Sequence, residues 1–341
     1  MPPPSFVTLA THLSRERVLV EMPHGTLMAD HPKSLGGEGL GPSAGELVLM
    51  ALSSSVVLEA GMGAHMLGYG VDAVSRSTFQ SARERISGPL VSLMWMSRLH
   101  HRLELGVSVG HDERDNVASQ ALASPLARTL SKPTPIEEAI RFVKRPPREM
   151  SGFVNEVLVS NQNEQDEIDI GVVSLSKPEA RWRIGAQYLA PSSALGYHDH
   201  QTYVIGSGSE GSLRGPTPVE LLAGALTSCT VYYVVHNAVY RSMPVHSIDA
   251  LAEVTMADDG TIASINKTTT VSGDLTSEQM REIEVMANSC YVGESLKRGI
   301  CLTREVEVLD STSGKGETVS LAPFVSCDDE SCCIPQMKNA G

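Results

Sequence analysis

The sequence predicts an α+β protein made of two tandem repeats, on three observations. One motif occurs twice, as Gly41-Pro42-Ser43-Ala44-Gly45-Glu46-Leu47 and as Gly215-Pro216-Thr217-Pro218-Val219-Glu220-Leu221. Each copy opens a long apolar segment with a helix-start signature. Each is followed by segments in which apolar and polar residues alternate, the period of a half-buried strand. Recurrence of a whole pattern of this length marks a duplicated structural unit. A unit of about 150 residues is large enough to bury a core of its own. The chain divides into a first repeat over 1–145, a linker over 146–175, a second repeat over 176–312 and a Cys-rich tail over 313–341.

In repeat one, residues 17–30 read as a strand pair turning at His24-Gly25, followed by a Gly-rich loop from Ala29 to Gly41. A long helix is expected from Ala44 to Leu67 and a strand over Val71–Phe79. Leu90–Val109 is strand-like but interrupted by Arg98-Leu99-His100-His101-Arg102. A helix over Asp112–Ala123 restarts near Pro125, and Pro133–Phe142 closes the repeat. The linker is rich in Pro, Asn, Gln and acids, with Val154–Val159 a candidate added strand. Repeat two reads as strands at Trp182–Tyr188 and Gln201–Ile205, a Gly-rich loop to Pro216, and a helix over Pro218–Tyr240. Strands at His246–Met256 and Thr261–Ser272 flank the turn Asp258-Asp259-Gly260. A single helix over Ser277–Leu296 and a strand over Ile300–Leu309 complete it.

The helix starts follow from simple chemistry. Thr217 is a good N-cap, Pro218 suits the first helical position, and Glu220 sits where a capping-box carboxylate belongs. Ser43 and Glu46 repeat the box. Beyond it, Leu221, Leu222, Ala225, Leu226, Val231, Val234 and Val235 cover most of the helix circumference. A helix apolar nearly all round is a buried one, so both long helices are expected at the centre.

The formal charge of −13 argues against nucleic acid and anionic membrane as partners. The N-terminus lacks a secretory pattern. Apolar runs of roughly 12 residues fall short of a bilayer span. A cytoplasmic setting follows, in which six cysteines are more readily free or catalytic than stapled. None precedes Cys229. The repeats differ pointedly at these positions, because Cys229 falls opposite Ser55 and Cys290 opposite Ser124.

On these residues repeat two resembles the OsmC/Ohr superfamily of small thiol-dependent proteins. Gly215 to Cys229 matches the family's loop, helix start and first cysteine. Ser289-Cys290-Tyr291-Val292 matches its second cysteine, with Tyr291 where proline is common. Repeat one is similar too, through Ala29-Asp30-His31-Pro32, Leu35 to Pro42 and Ser124-Pro125-Leu126. The resemblance implies two central helices wrapped by antiparallel sheets, with the fused repeats forming an intramolecular pseudo-dimer that can pair again as a homodimer. It also implies a peroxidase acting on organic hydroperoxides. Cys229 would be oxidised to a sulfenic acid, Cys290 would resolve it as a disulfide, and an external dithiol would reset the pair.

That chemistry needs a thiolate, and an ordinary cysteine is mostly protonated at neutral pH. Cys229 lies too deep in its own helix for that helix's dipole to help. An arginine is therefore expected nearby, and Arg183, Arg214 and Arg298 are the candidates. The family's helix-start glutamate falls on Val219 in this chain; Glu220, one place later, points about 100° away and reads as a cap before a catalyst. The apolar helix around Cys229 suits a small hydrophobic substrate. No cofactor is implied. His198-x-His200 is a possible metal pair, but His198 falls opposite His24, which favours a shared turn. His100 and His101 point to opposite strand faces. Cys301 reads as core. Cys327, Cys332 and Cys333 form an acidic, cysteine-rich tail that could relay reducing equivalents or bind a soft metal, or be a plain extension. Two rival functions remain open: a Cys229-dependent hydrolase working through a thioester, and a non-enzymatic redox sensor or ligand-binding protein.

Overall fold

The computed structural model describes residues 5–14, 17–31, 37–68, 71–84, 93–107, 111–122, 124–143, 184–190, 193–198, 201–207, 215–309 and 316–319. The linker with Val154–Val159 and the tail cysteines Cys327, Cys332 and Cys333 lie outside them. Repeat one contributes β1 (Ser5–Ser14), β2 (Arg17–Met22), β3 (Gly25–Asp30), α1 (Ala44–Met66), β4 (Val71–Glu84), β5 (Leu93–Val107), α2 (His111–Leu122), α3 (Pro125–Leu130) and β6 (Ile136–Val143). Repeat two contributes β7 (Ile184–Ala190), β8 (Ser193–His198), β9 (Gln201–Gly206), α4 (Pro218–Tyr240), β10 (Val245–Met256), β11 (Ile262–Gly273), α5 (Ser277–Asn288), α6 (Tyr291–Arg298) and β12 (Cys301–Leu309), with β13 (Gly316–Val319) beyond it.

The strands of the two repeats interleave. One sheet runs β3-β2-β1-β10-β11-β6 and the other β13-β12-β5-β4-β7-β8-β9. Each sheet thus joins the opening strands of one repeat to the middle hairpin of the other. The joints are β1 against β10 and β4 against β7, both antiparallel. The closing strand of each repeat returns to the middle hairpin of the other, β6 beside β11 and β12 beside β5, and these two ladders are parallel. The sheets are therefore antiparallel apart from one parallel pair each. This is an intertwined dimer written in one chain.

Between the sheets lie α1 and α4, packed against each other. Both begin with the expected capping boxes: Ser43 with Glu46 and Thr217 with Glu220. Leu47, Leu52, Val56, Leu221, Leu226 and Val231 are fully buried, and truncating such a leucine to alanine costs about 2–5 kcal/mol. Each helix is 23 residues long and apolar enough by length and composition to cross a membrane. This corrects the shorter apolar runs read from the sequence, because buried Ser, Thr, Ala and Gly extend them. In this fold 89% of the most apolar window of each is buried inside the protein, as befits a core helix. The motif glycines ahead of both helices are sterically required: a Cβ on Gly41 would lie 1.9 Å from the Met28 carbonyl oxygen, and one on Gly215 would lie 2.2 Å from that of Val204.

Five further elements differ from expectation. β1 and β8 carry weak apolar signals, since their inward residues include Thr8, Ala10, Ser193 and Ala194. β13 falls in the segment read as tail. β5 is not interrupted: Leu99, His101, Leu103 and Leu105 face inward, while Arg98, His100, Arg102 and Glu104 take the opposite face. The helix expected over Ser277–Leu296 is two helices, broken at Ser289-Cys290.

Candidate functional site: a buried dithiol beneath a helix N-terminus

That break places the second cysteine. Cys290 is the N-cap of α6, with extended backbone (φ −68°, ψ 149°), so its side chain sits at the helix mouth. Cys229 comes from the middle of α4. The two are free thiols, hydrogen-bonded to one another. The N–H of Val292, in the first turn of α6, donates to Cys229 Sγ at 3.4 Å. Cys290 Sγ lies 3.3 Å from Thr230 Oγ1. Both are buried, Cys229 at 7% exposure and Cys290 at 0%. The N-terminus that serves Cys229 is thus not that of its own helix but that of α6, whose free N–H groups and dipole favour negative charge.

The cation at the site is a lysine. Lys267 on β11 is 1% exposed. Its ammonium donates to Thr230 Oγ1 at 3.2 Å and to the Ala287 carbonyl at 2.7 Å. Glu138 on β6 of repeat one pairs with it at 2.7 Å and with Lys297 at 2.9 Å. Repeat one therefore completes the surroundings of a site whose thiols belong to repeat two. It also supplies His31, whose ring meets the Tyr232 ring edge-on at 4.4 Å, one turn along α4 from Cys229.

These contacts set the charge. Cys290 is drawn down to about 6, chiefly because the Cys229 thiol donates to its sulfur, aided by the Lys267 ammonium, the Thr230 hydroxyl and the Gly293 N–H, against the cost of burial. Cys229 is pushed well above the ordinary thiol range, first by that same hydrogen bond and then by burial. These opposite shifts favour negative charge on Cys290 over Cys229.

Arg183 and Arg214 lie outside the described residues. Arg298 is engaged elsewhere, with its guanidinium 4.2 Å above the Trp95 ring and its Nε 3.5 Å from Glu294. Glu220 is a cap: its carboxylate accepts from the Thr217 N–H at 2.9 Å and meets His24 Nδ1 at 2.6 Å. It stands nine residues before Cys229, about 13 Å along the helix. Ser124, opposite Cys290, caps α3 by accepting from the Ala127 N–H at 3.2 Å. His200 lies outside the described residues, as does the side chain of Cys301. Among the described residues no group of three His, Cys, Asp or Glu is placed to hold a metal ion.

Sequence reasoning passed over Lys267 and Glu138 because it looked for arginine. A signal was available. Lys267 falls on the inward phase of β11 with Ile265 and Thr269, and a lysine there must be paired. The rung that sets Lys267 opposite Glu138 has a counterpart in the other parallel ladder, where His101 stands opposite Arg304. His101 is buried and bonded to Ser77 at 2.9 Å and Ser75 at 3.3 Å. Cysteine, cysteine and lysine in one half thus answer to serine, serine and histidine in the other.

The site is thus two buried thiols held between a helix mouth and a buried ammonium. Residues 208–305 match the family described as OsmC-like protein. A search of curated proteins gave no match. Solved structures similar to this chain include an OsmC-like protein from Mycoplasma pneumoniae (14% identity, 37% of this chain and 94% of that one, TM-score 0.31). A putative osmotic stress induced and detoxification response protein from Psychrobacter arcticus 273-4 is similar over 35% of this chain and 84% of its own (16% identity, TM-score 0.27). An organic hydroperoxide resistance protein OsmC from Legionella pneumophila is similar over 36% and 86% (17% identity, TM-score 0.25).

Proposed function

We propose that the protein is a thiol-dependent peroxidase that reduces organic hydroperoxides at Cys229 and Cys290. The observation that carries the reading is two free, buried cysteines brought together beneath the first turn of α6, with the Thr230 hydroxyl and the Lys267 ammonium beside Cys290. Substrate enters at Cys229, the less deeply buried residue of the two. Cys290 thiolate takes the Cys229 proton as Cys229 sulfur attacks the outer peroxide oxygen. The O–O bond breaks, Cys229 becomes a sulfenic acid, and the departing alkoxide takes the proton back from Cys290 and leaves as the alcohol. Cys290, again a thiolate, attacks the Cys229 sulfur. Hydroxide leaves and is protonated by solvent, and a disulfide remains. The hydroperoxide gains two electrons and the thiol pair loses two. An external dithiol, in a reducing cytoplasmic setting, returns the pair to its starting state by thiol–disulfide exchange.

Two features support this over a hydrolase. A neighbouring thiolate that accepts the nucleophile's proton also traps its oxidised product, and a thioester mechanism has no need of it. The neighbours of the pair, Leu226 and Val292, are apolar and buried, which favours an alkyl or aryl hydroperoxide over hydrogen peroxide. The test is steady-state consumption of cumene hydroperoxide with dithiothreitol as reductant. Activity is expected in the native protein and lost in Cys229→Ser. In Cys290→Ser a single turnover should end in overoxidised Cys229. Undiminished multiple turnover by Cys290→Ser would overturn the mechanism.

A further inference from the structure

The thiol-free half has a cavity of its own. It measures about 510 Å³ and is lined from both repeats, by Ser55, Leu58, Glu59 and Met62 of α1, Phe6 of β1, Leu126 of α3, the α4 start Thr217–Glu220, and Met256 of β10. Ser55, the counterpart of Cys229, opens on it, so it occupies the position of the dithiol site under the pseudo-twofold relation. Its chemistry is different. The walls are mainly apolar, and among the described residues the ionisable groups lining it are two carboxylates and one imidazole, with no lysine or arginine. The Glu220 carboxylate is already taken by Thr217 and His24. Glu59 has no such commitment among the described hydrogen bonds. Arg128, the cation that acts on it, is turned to Asp259, with contacts of 3.2 Å to the carboxylate and 2.6 Å to the carbonyl. Burial in these walls raises the Glu59 carboxyl above its ordinary value.

We propose that this cavity is a second ligand site, independent of thiol chemistry, that takes an apolar organic cation: its hydrocarbon part against Phe6, Leu58, Met62 and Leu126, its ammonium against Glu59. The volume is in the range of small-molecule sites, which pair apolar walls with a few polar anchors. A half-buried carboxylate without a close counter-ion gains more from an arriving cation than an exposed one does, because less water competes. Among the described lining residues an anionic ligand would meet two carboxylates and no lysine or arginine, which disfavours it.

The experiment is calorimetric titration of the reduced full-length protein with decyltrimethylammonium below its micelle concentration, beside decanoate and the neutral octyl glucoside. Saturable binding of the cation is expected, with decanoate at least tenfold weaker. Glu59→Gln should weaken cation binding about tenfold. It should leave the melting temperature at or above the native value, since it removes a charge held in an apolar wall. Met62→Trp, which fills the cavity, should abolish binding. Cys229→Ser should bind as the native protein does, and Glu59→Gln should still form the Cys229–Cys290 disulfide. The proposal is overturned by an absence of saturable binding, by decanoate binding as tightly as the cation, by a Glu59→Gln affinity within twofold of native, or by loss of binding in Cys229→Ser, which would put the ligand at the dithiol.

Discussion

Replacing Lys267 by methionine should raise the pH at which the dithiol ionises by one to two units. The two hydrogen bonds through Thr230 Oγ1, 3.2 and 3.3 Å, hold the ammonium no more than about 6.5 Å from Cys290 Sγ. At that distance and an effective dielectric near ~20, one unit charge contributes about 2.5 kcal/mol, close to two pKa units. Glu138 offsets part of this field, but it is shared with Lys297, and with Glu294 and Arg298 the cluster holds three cations and two carboxylates, which leaves a net positive charge. The ionisation should therefore move from about 6 to between about 7 and 8. The assay is the pH dependence of iodoacetamide alkylation of the reduced protein, with thiolate absorbance as a second readout. Methionine keeps the buried stem's volume, and Lys297 still satisfies Glu138. A Lys267→Met profile displaced by less than about half a unit would show that the helix mouth alone sets the thiolate and that Lys267 does not stabilise it.

Other consequences can be checked with the same protein. Gly293→Ala would set a methyl 3.0 Å from Cys290 Sγ and 3.4 Å from Leu226 Cδ1; overpacking of this kind costs about 1–3 kcal/mol, and peroxide-driven disulfide formation should slow at least tenfold in stopped-flow fluorescence. Glu138→Ala strips a carboxylate from two lysines, one of them buried, and should lower unfolding free energy by about 3 kcal/mol in urea titration, although the thiols lie in the other repeat. Because Cys290 ionises lower in the folded protein than in the unfolded chain, the native state binds fewer protons between pH about 6 and about 8.5. The thermal midpoint of the reduced protein should therefore rise with pH across that window relative to Cys290→Ser, and the difference should vanish as pH falls through about 6. Thr217→Ala should cost about 1 kcal/mol by loss of the cap and leave alkylation of the thiols unchanged.

Much of the fold was legible because its signals are local. The two capping boxes, the Gly-rich loops and the all-round apolar helices each declare themselves within a few residues, and the turn at Asp258-Asp259-Gly260 lies where its composition puts it, with Gly260 at a φ of 78°. The exchange of strands was not legible from the residues alone. Pairing of β1 with β10, or of β6 with β11, joins segments far apart in sequence, and nothing in either strand names its partner. The break before α6 was hidden because Ser289-Cys290 interrupts a continuous helix-like pattern without Gly or Pro. That break decides the chemistry, since it turns Cys290 from a helix-interior residue into an N-cap and aims the first N–H groups of α6 at both sulfurs. The lysine was readable but unread: it required asking which charged residue sits on the inward phase of a strand, not which arginine lies near a cysteine in sequence.

The central claim is that Cys229 and Cys290 form one redox unit. It is tested most directly by intact-mass spectrometry of the reduced protein titrated with cumene hydroperoxide, followed by peptide mapping without reductant. One equivalent of peroxide should remove two hydrogens per chain and link the peptides that carry Cys229 and Cys290. Unreacted Cys229 in excess peroxide, or a stable sulfinic acid on Cys229 with Cys290 still reduced, would contradict that claim.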